Sequence, residues 1–243
     1  MQDIFIPDNI TEIPDCAFAG YKALKSVTFG DAITEIGNHS FQGCTNLERV
    51  EFGKNLYRID GFAFEFCESL TSLDFPESLV HLTDYAFHKC TSLERVSFGK
   101  NIYTLGESVF AHCESLKRVE ISSECENGLL IDAWAFEGCI SLKSAVLGDG
   151  ITLVNHDVFK NCSKLKTVVL SNTIRYVTNS IFKGCAALEK VFYQGSWSEW
   201  SSITGGGIDA FKKEVSEYLY LYSETNPGGG NSWHYVDGIP TPW

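Results

Sequence analysis

Apolar residues recur along the chain on a fixed beat. A phenylalanine followed three residues later by a cysteine appears at Phe41–Cys44, Phe64–Cys67, Phe87–Cys90 and Phe110–Cys113, then at Phe136–Cys139, Phe159–Cys162 and Phe182–Cys185. Phe18 leads the series, with Tyr21 in the cysteine place. The phenylalanines are 23 residues apart, except for one step of 26 between Phe110 and Phe136. The added residues fall in SSECENGLL (122–130), which also holds the off-register Cys125.

Three residues after each cysteine place stands a leucine: Leu24, Leu47, Leu70, Leu93, Leu116, Leu142, Leu165 and Leu188. Each opens a phrase such as Leu47-x-x-Val50-x-Phe52, whose apolar and polar residues alternate with strand periodicity. A second apolar pair follows in each unit, as in Ile33/Ile36 or Leu79/Leu82. A repeat this short cannot bury its own apolar face, so it stacks on copies of itself and shares one continuous core. One strand per repeat, always at the same phase, predicts a parallel sheet along one face. Nine strands are countable, from Ile4-x-Ile6 to Val191-x-Tyr193. At ~4.8 Å per strand the sheet runs roughly 40 Å.

The phrase I-x-x-I-x-x-x-A-F-x-x-C-x-x-L resembles the 23-residue repeat of BspA-like leucine-rich repeat proteins of bacterial surfaces. TEIGNHSFQGCTNLERVEF (34–52) and HLTDYAFHKCTSLERVSF (81–98) carry the resemblance most closely. It covers residues 1 to about 194, and it implies a mainly-β, right-handed leucine-rich-repeat solenoid of about eight repeats. It also implies attachment to host proteins or other cells, at a cell-surface or secreted location.

Met1 aligns with Leu24, so the chain begins within a repeat, at its strand. No polar capping unit precedes it, which reads as a fragment of a longer protein or a bare first coil. After Tyr193 the beat is lost. Residues 195–243 read as a capping segment with a short helix over 209–217. A hairpin of strands 218–224 and 232–236 is expected around the Asn226–Gly230 turn. Trp197, Trp200, Trp233 and Trp243 lie in this segment, as expected of a lid on the last coil.

Charge narrows the partners. The formal net charge is -12 and the pI near 4.9, so nucleic acid and anionic membrane surfaces are repelled. No apolar run is long enough to cross a bilayer as a helix. The nine cysteines, bare, suggest a disulfide framework. Their phase argues otherwise: one per coil with parallel Cβ vectors does not give a disulfide torsion, and a metal site needs clustered ligands. A ladder of buried thiols is expected, with Cys125 the most reactive. His88 and His112, in neighbouring coils, are expected to lie close. No nucleophile elbow, zinc-protease, phosphate-loop or dinucleotide signature occurs, and no cofactor is implied.

In this architecture the polar positions of each strand face outward on the concave side. The first column reads Ser26, Arg49, Ser72, Arg95, Arg118, Ser144, Thr167 and Lys190. The second reads Thr28, Glu51, Asp74, Ser97, Glu120, Val146, Val169 and Phe192, turning apolar for its last three coils. Arg49, Glu51, Asp74, Arg95, Arg118, Glu120, Val146, Val169 and Phe192 are the candidate partner-binding residues. For Val146, Val169 and Phe192 two readings compete: a partner covers them, or the capping segment does. Phe62, Tyr85 and Trp134, two residues before their repeat phenylalanines, are large for an outer turn and read either as a second candidate surface or as packing between coils. The expectation is a non-enzymatic binding or adhesion module for a protein or glycan, with a structural spacer or scaffold as the alternative.

Overall fold

The computed structural model describes residues 2–124, 128–228 and 230–243; Met1 and Cys125 lie outside the described residues. The concave face carries nine parallel strands: β1 (Asp3–Ile6), β3 (Ser26–Phe29), β5 (Arg49–Glu51), β7 (Ser72–Asp74), β9 (Arg95–Ser97), β11 (Arg118–Ile121), β13 (Ser144–Leu147), β15 (Thr167–Leu170) and β17 (Lys190–Tyr193). Each of the first eight coils also carries a second, shorter strand: β2 (Glu12–Ile13), β4 (Glu35–Ile36), β6 (Arg58–Ile59), β8 (His81–Leu82), β10 (Thr104–Leu105), β12 (Leu129–Ile131), β14 (Ile151–Val154) and β16 (Tyr176–Val177). These pair in parallel as one eight-stranded sheet. The apolar pairs Ile33/Ile36 and Leu79/Leu82 are therefore the buried side of a second wall.

The third wall is the turn that carries the repeat phenylalanine. It has no strand, yet it is hydrogen-bonded from coil to coil. The amides of His39, Phe41 and Gly43 donate to the carbonyls of Gly61, Ala63 and Glu65, and those of Tyr85, Phe87 and Lys89 donate to Glu107, Val109 and Ala111. This pattern needs left-handed backbone on both sides of the phenylalanine. Two residues before it, Cys16, His39, Phe62, Tyr85, Ser108, Trp134, Asp157 and Ser180 all have φ between 53° and 63°. Two residues after it, φ is also positive, with Gly in four coils and Phe66, Lys89, His112 and Asn161 in the others. Each non-glycine residue there costs about 1–2 kcal/mol in isolation, and the inter-coil hydrogen bonds offset that cost.

The core runs the length of the stack. The repeat phenylalanines stack ring on ring, 5.0 Å apart from Phe18 through Phe64 and 5.9 Å at Phe159–Phe182, and all but the partly buried Phe18 are buried. A second column, Phe29, Phe52, Phe75 and Phe98, meets the first edge-on. The in-phase cysteines are free and buried, and each thiol donates to the phenylalanine carbonyl of the preceding coil. These contacts run from 3.0 Å (Cys185 to Phe159) to 3.4 Å (Cys113 to Phe87). Cys139 keeps the ladder to Phe110 across the 26-residue step, at 3.3 Å, so the added residues leave the core unchanged.

The capping segment differs from the sequence expectation in two respects. It holds two helices: α1 (Trp197–Ser202), closed by a reciprocal Ser196–Glu199 capping box, and α2 (Ile208–Val215). They bury Trp200, Phe211 and Val215 on the last coil, with Phe211 6.3 Å from Phe182 at the end of the phenylalanine column. The expected hairpin across Asn226–Gly230 is not formed. β18 (Leu219–Tyr222) adds in parallel to β17, and β19 (Ser232–Val236) adds in parallel to β18. The hairpin is instead β19 with β20 (Ile239–Pro242), closed by Asp237 and Gly238, both with φ positive as a tight two-residue turn requires. The residues between β18 and β19 thus carry the chain back to start a parallel strand, and the tight turn falls at the Asp-Gly pair, a favoured two-residue hairpin sequence.

Candidate functional site

Ser26 is buried and donates its hydroxyl to Asp3; from Arg49 to Glu120 the two concave columns are open to solvent, and there the charges pair among themselves. Arg95 grips Asp74 with a two-pronged contact at 2.6 and 2.7 Å, which raises the pKa of its guanidinium. Arg118 meets Glu120 on its own strand at 2.8 Å, and Arg49 meets Glu51 at 3.7 Å. Glu51 also accepts from the Thr28 hydroxyl at 3.0 Å. Such exposed pairs are worth little in stability. Their effect is to hold the early coils of the face near local neutrality.

Toward the C-terminal end the face changes character. Val169 and Phe192 are buried together with Trp233, and Val146 and Tyr220 are partly buried against them. Phe192 lies 5.2 Å from Trp233 and 5.5 Å from Tyr220, centroid to centroid. The Trp233 indole donates to the Tyr193 carbonyl at 2.9 Å, which satisfies the one polar atom the ring buries. The capping segment thus takes Phe192 and Val169 off the open face, and Val146 stays half-exposed at its border.

That border is a cleft of about 260 Å³. Val146, Val169 and Phe192 supply its apolar floor, Ser144 and Thr167 a hydroxyl wall, and Arg118 and Lys190 its cations. The opposite wall is Ile239 and Pro240 from the tip of the β19–β20 hairpin. Arg118 also lines the adjoining shallow depression of about 390 Å³, with Arg95, Ser97 and Glu120. Of the nine candidate residues the structure gathers Arg95, Arg118, Glu120, Val146, Val169 and Phe192 into these two connected hollows. Arg49, Glu51 and Asp74 lie outside them, on earlier coils. Ile239 and Pro240 were not legible as site residues, because their approach depends on the direction of three successive strands in the capping segment.

The expected histidine pair forms: the His88 and His112 rings lie 5.8 Å apart. His88 also faces the buried Glu65 at 2.8 Å, and burial pulls its pKa down despite that carboxylate. Among the described residues no group of three or more His, Cys, Asp or Glu side chains could hold a metal ion. No helix among them is long and apolar enough to cross a membrane.

Comparison with known proteins agrees with the coil geometry. The description "BspA type Leucine rich repeat region" matches six copies over residues 1–117 and 81–204. Among solved structures, the chain is similar to a leucine-rich repeat protein of T. pallidum at 25% identity. That match has a TM-score of 0.53 and covers 76% of this chain and 77% of the other. It is also similar to a leucine-rich repeat protein of Bacteroides ovatus at 21% identity, TM-score 0.49, covering 91% of this chain and 77% of the other. Among proteins of curated function none matches.

Proposed function

We propose that this chain, which belongs to the BspA-type leucine-rich repeat family, is a non-enzymatic binding module. Its anchor is the cleft between Val146 and the Ile239–Pro240 tip. The observation that carries this reading is an apolar floor on an otherwise solvated face, walled by the β19–β20 hairpin and flanked by Arg118 and Lys190. An apolar side chain of a partner protein fits the floor, and a neighbouring carboxylate fits Lys190, Arg118 being paired with Glu120. The stacked sheet and ring columns hold the cleft in place, so little ordering cost falls on binding. The family resemblance to bacterial surface proteins supports a surface location and a role in adhesion.

One observation favours the spacer reading for the early coils. Their arginines are already paired within the face, at Arg49–Glu51 and Arg95–Asp74, which leaves less charge for a partner. The two readings divide the molecule: the coils from Arg118 onward carry the cleft and bind, and the coils before them supply length.

The test is a panel of immobilised host proteins, bacterial surface proteins and glycans, probed with the native chain and with Val146→Glu. A binding module gives at least one protein hit that Val146→Glu loses at least tenfold, with melting temperature unchanged. Binding that depends on Val146 only for glycans overturns the protein partner, and the absence of any such hit leaves the spacer reading.

A further inference from the structure

The outer turns, on a different side of the coil from the concave sheet, carry a column of stacked planar side chains. The His39 and Phe62 rings lie 4.8 Å apart at 4°, and Phe62 and Tyr85 lie 4.9 Å apart at 6°. In the next coil the position is Ser108, and in the one after it is Trp134, whose ring meets His156 edge-on at 4.5 Å. The adjacent column, one residue after each repeat phenylalanine, drops in the same coil to Ala111, between His88 and Glu137. Two small side chains in one coil, flanked by bulky ones in both neighbours, leave a notch of about 450 Å³. Tyr85 and Trp134 stand at its two ends, two coil steps or ~10 Å apart. That spacing admits one planar group at about the distance of the existing rungs.

The notch carries two carboxylates, Glu107 and Glu137, beside His88, His112 and Lys160. Glu107 lines it and accepts the Tyr85 hydroxyl at 2.7 Å. Glu137 on the far side is matched by Lys160 at 2.9 Å, so among the described residues Glu107 is the carboxylate of the notch without a lysine or arginine partner. His88 is turned to Glu65, with its Nδ1 2.8 Å from the carboxylate. The chain as a whole is strongly anionic.

We propose that this notch receives an arginine side chain of a partner protein, its guanidinium stacked between Tyr85 and Trp134 and paired with Glu107. A guanidinium is flat, weakly hydrated and favours aromatic faces, whereas an ammonium is compact and strongly hydrated and cannot complete a stack. The missing rung gives the shape and Glu107 gives the charge. Neither depends on the concave cleft, so this assignment stands or falls separately from it.

The probe is N-acetyl-arginine methylamide, titrated while the indole N–H of Trp134 is followed by NMR and assigned by its loss in Trp134→Phe. A saturable shift is expected, with the citrulline and lysine counterparts at least roughly fivefold weaker. Ser108→Tyr rebuilds the missing rung on backbone that Tyr85 already adopts, φ 53° against 60°. It is expected to abolish the shift with the melting temperature retained. Glu107→Gln, an isosteric change, is expected to weaken binding at least threefold and serves as the second variant should Ser108→Tyr fail to fold. No saturable shift, an equal response to the lysine compound, persistence of the arginine shift in a folded Ser108→Tyr protein, or saturation by maltose in place of arginine overturns the assignment.

Discussion

Trp233 lies across Phe192, 5.2 Å between ring centroids at 51°, and ties its indole N–H to the carbonyl of the next residue, Tyr193. The contact joins a strand of the capping segment to the outward column of the solenoid, so it fastens the cap by its face as well as by its edge. Trp233→Ala is expected to cost about 3–5 kcal/mol, most of it local to the cap. Hydrogen exchange checks this: amides of residues 219–222 and 232–236 lose protection, while those of β3, β11 and β13 keep theirs. Uniform loss along the stack would show that the cap is not a separate cooperative unit.

The thiol ladder predicts a loss of stability at alkaline pH. Burial raises the thiols of Cys44 to about 11 and of Cys139 and Cys185 to about 12, against an ordinary value of 9.0. Burial pushes Cys67, Cys90, Cys113 and Cys162 up as well. A thiol whose folded pKa is raised contributes stability that is fully present below 9 and is lost as pH climbs toward the folded value. Each contributes a slope of up to ~1.4 kcal/mol per pH unit in that window. Denaturant midpoints measured from pH 8 to 11 are expected to fall, and Cys139→Ala is expected to reduce the slope relative to the native chain. A thiol count of nine after unfolding without reductant accompanies this; a count well below nine contradicts it.

The phenylalanine column makes a middle coil more costly to damage than an end coil. Phe87 and Phe110 each have a stacked ring on both sides and an edge-on ring from the second column. Phe110→Ala is expected to cost about 3–5 kcal/mol by denaturant titration. Phe18 stacks on Phe41 at the end of the column and is only partly buried, so Phe18→Ala is expected to cost roughly half as much.

Two glycines of the same turn position are predicted to differ. Gly43 and Gly138 both have left-handed φ, but a Cβ on Gly43 meets only Gly20 at 3.8 Å, whereas one on Gly138 meets His112 Nδ1 at 2.6 Å. Gly43→Ala is expected to cost about 1 kcal/mol from backbone strain alone, and Gly138→Ala more. His112→Ala should recover the excess in a double-mutant cycle, and additive effects would refute the steric account.

The 23-residue beat made the coil, the buried cysteines and the nine concave strands legible, because each position repeats its environment eight times. The two other walls were less legible, for different reasons. The second sheet has strands of only two residues in most coils, as at Glu35–Ile36, too short for alternation to show. The turn ladder rests on left-handed backbone at residues such as Tyr85 and Trp134, whose chemistry gives no hint of it. In the capping segment no repeat exists, and two turn signals compete, the glycine-rich Asn226–Gly230 and the Asp237–Gly238 pair; the Asp-Gly pair makes the hairpin. Val146 was legible as a break in the polar column. The wall facing it, Ile239 and Pro240, was set by tertiary packing alone.

The central claim is that the cleft at Val146 is a binding surface. A photoreactive benzoylphenylalanine placed at Val146, with a control at Tyr176 on the second sheet's exposed side, tests it on the cell type that bears the protein. The account predicts a discrete cross-linked protein from position 146, absent from position 176 and competed by excess native chain. Equal labelling from both positions, or labelling at 146 that native chain does not compete, would contradict it.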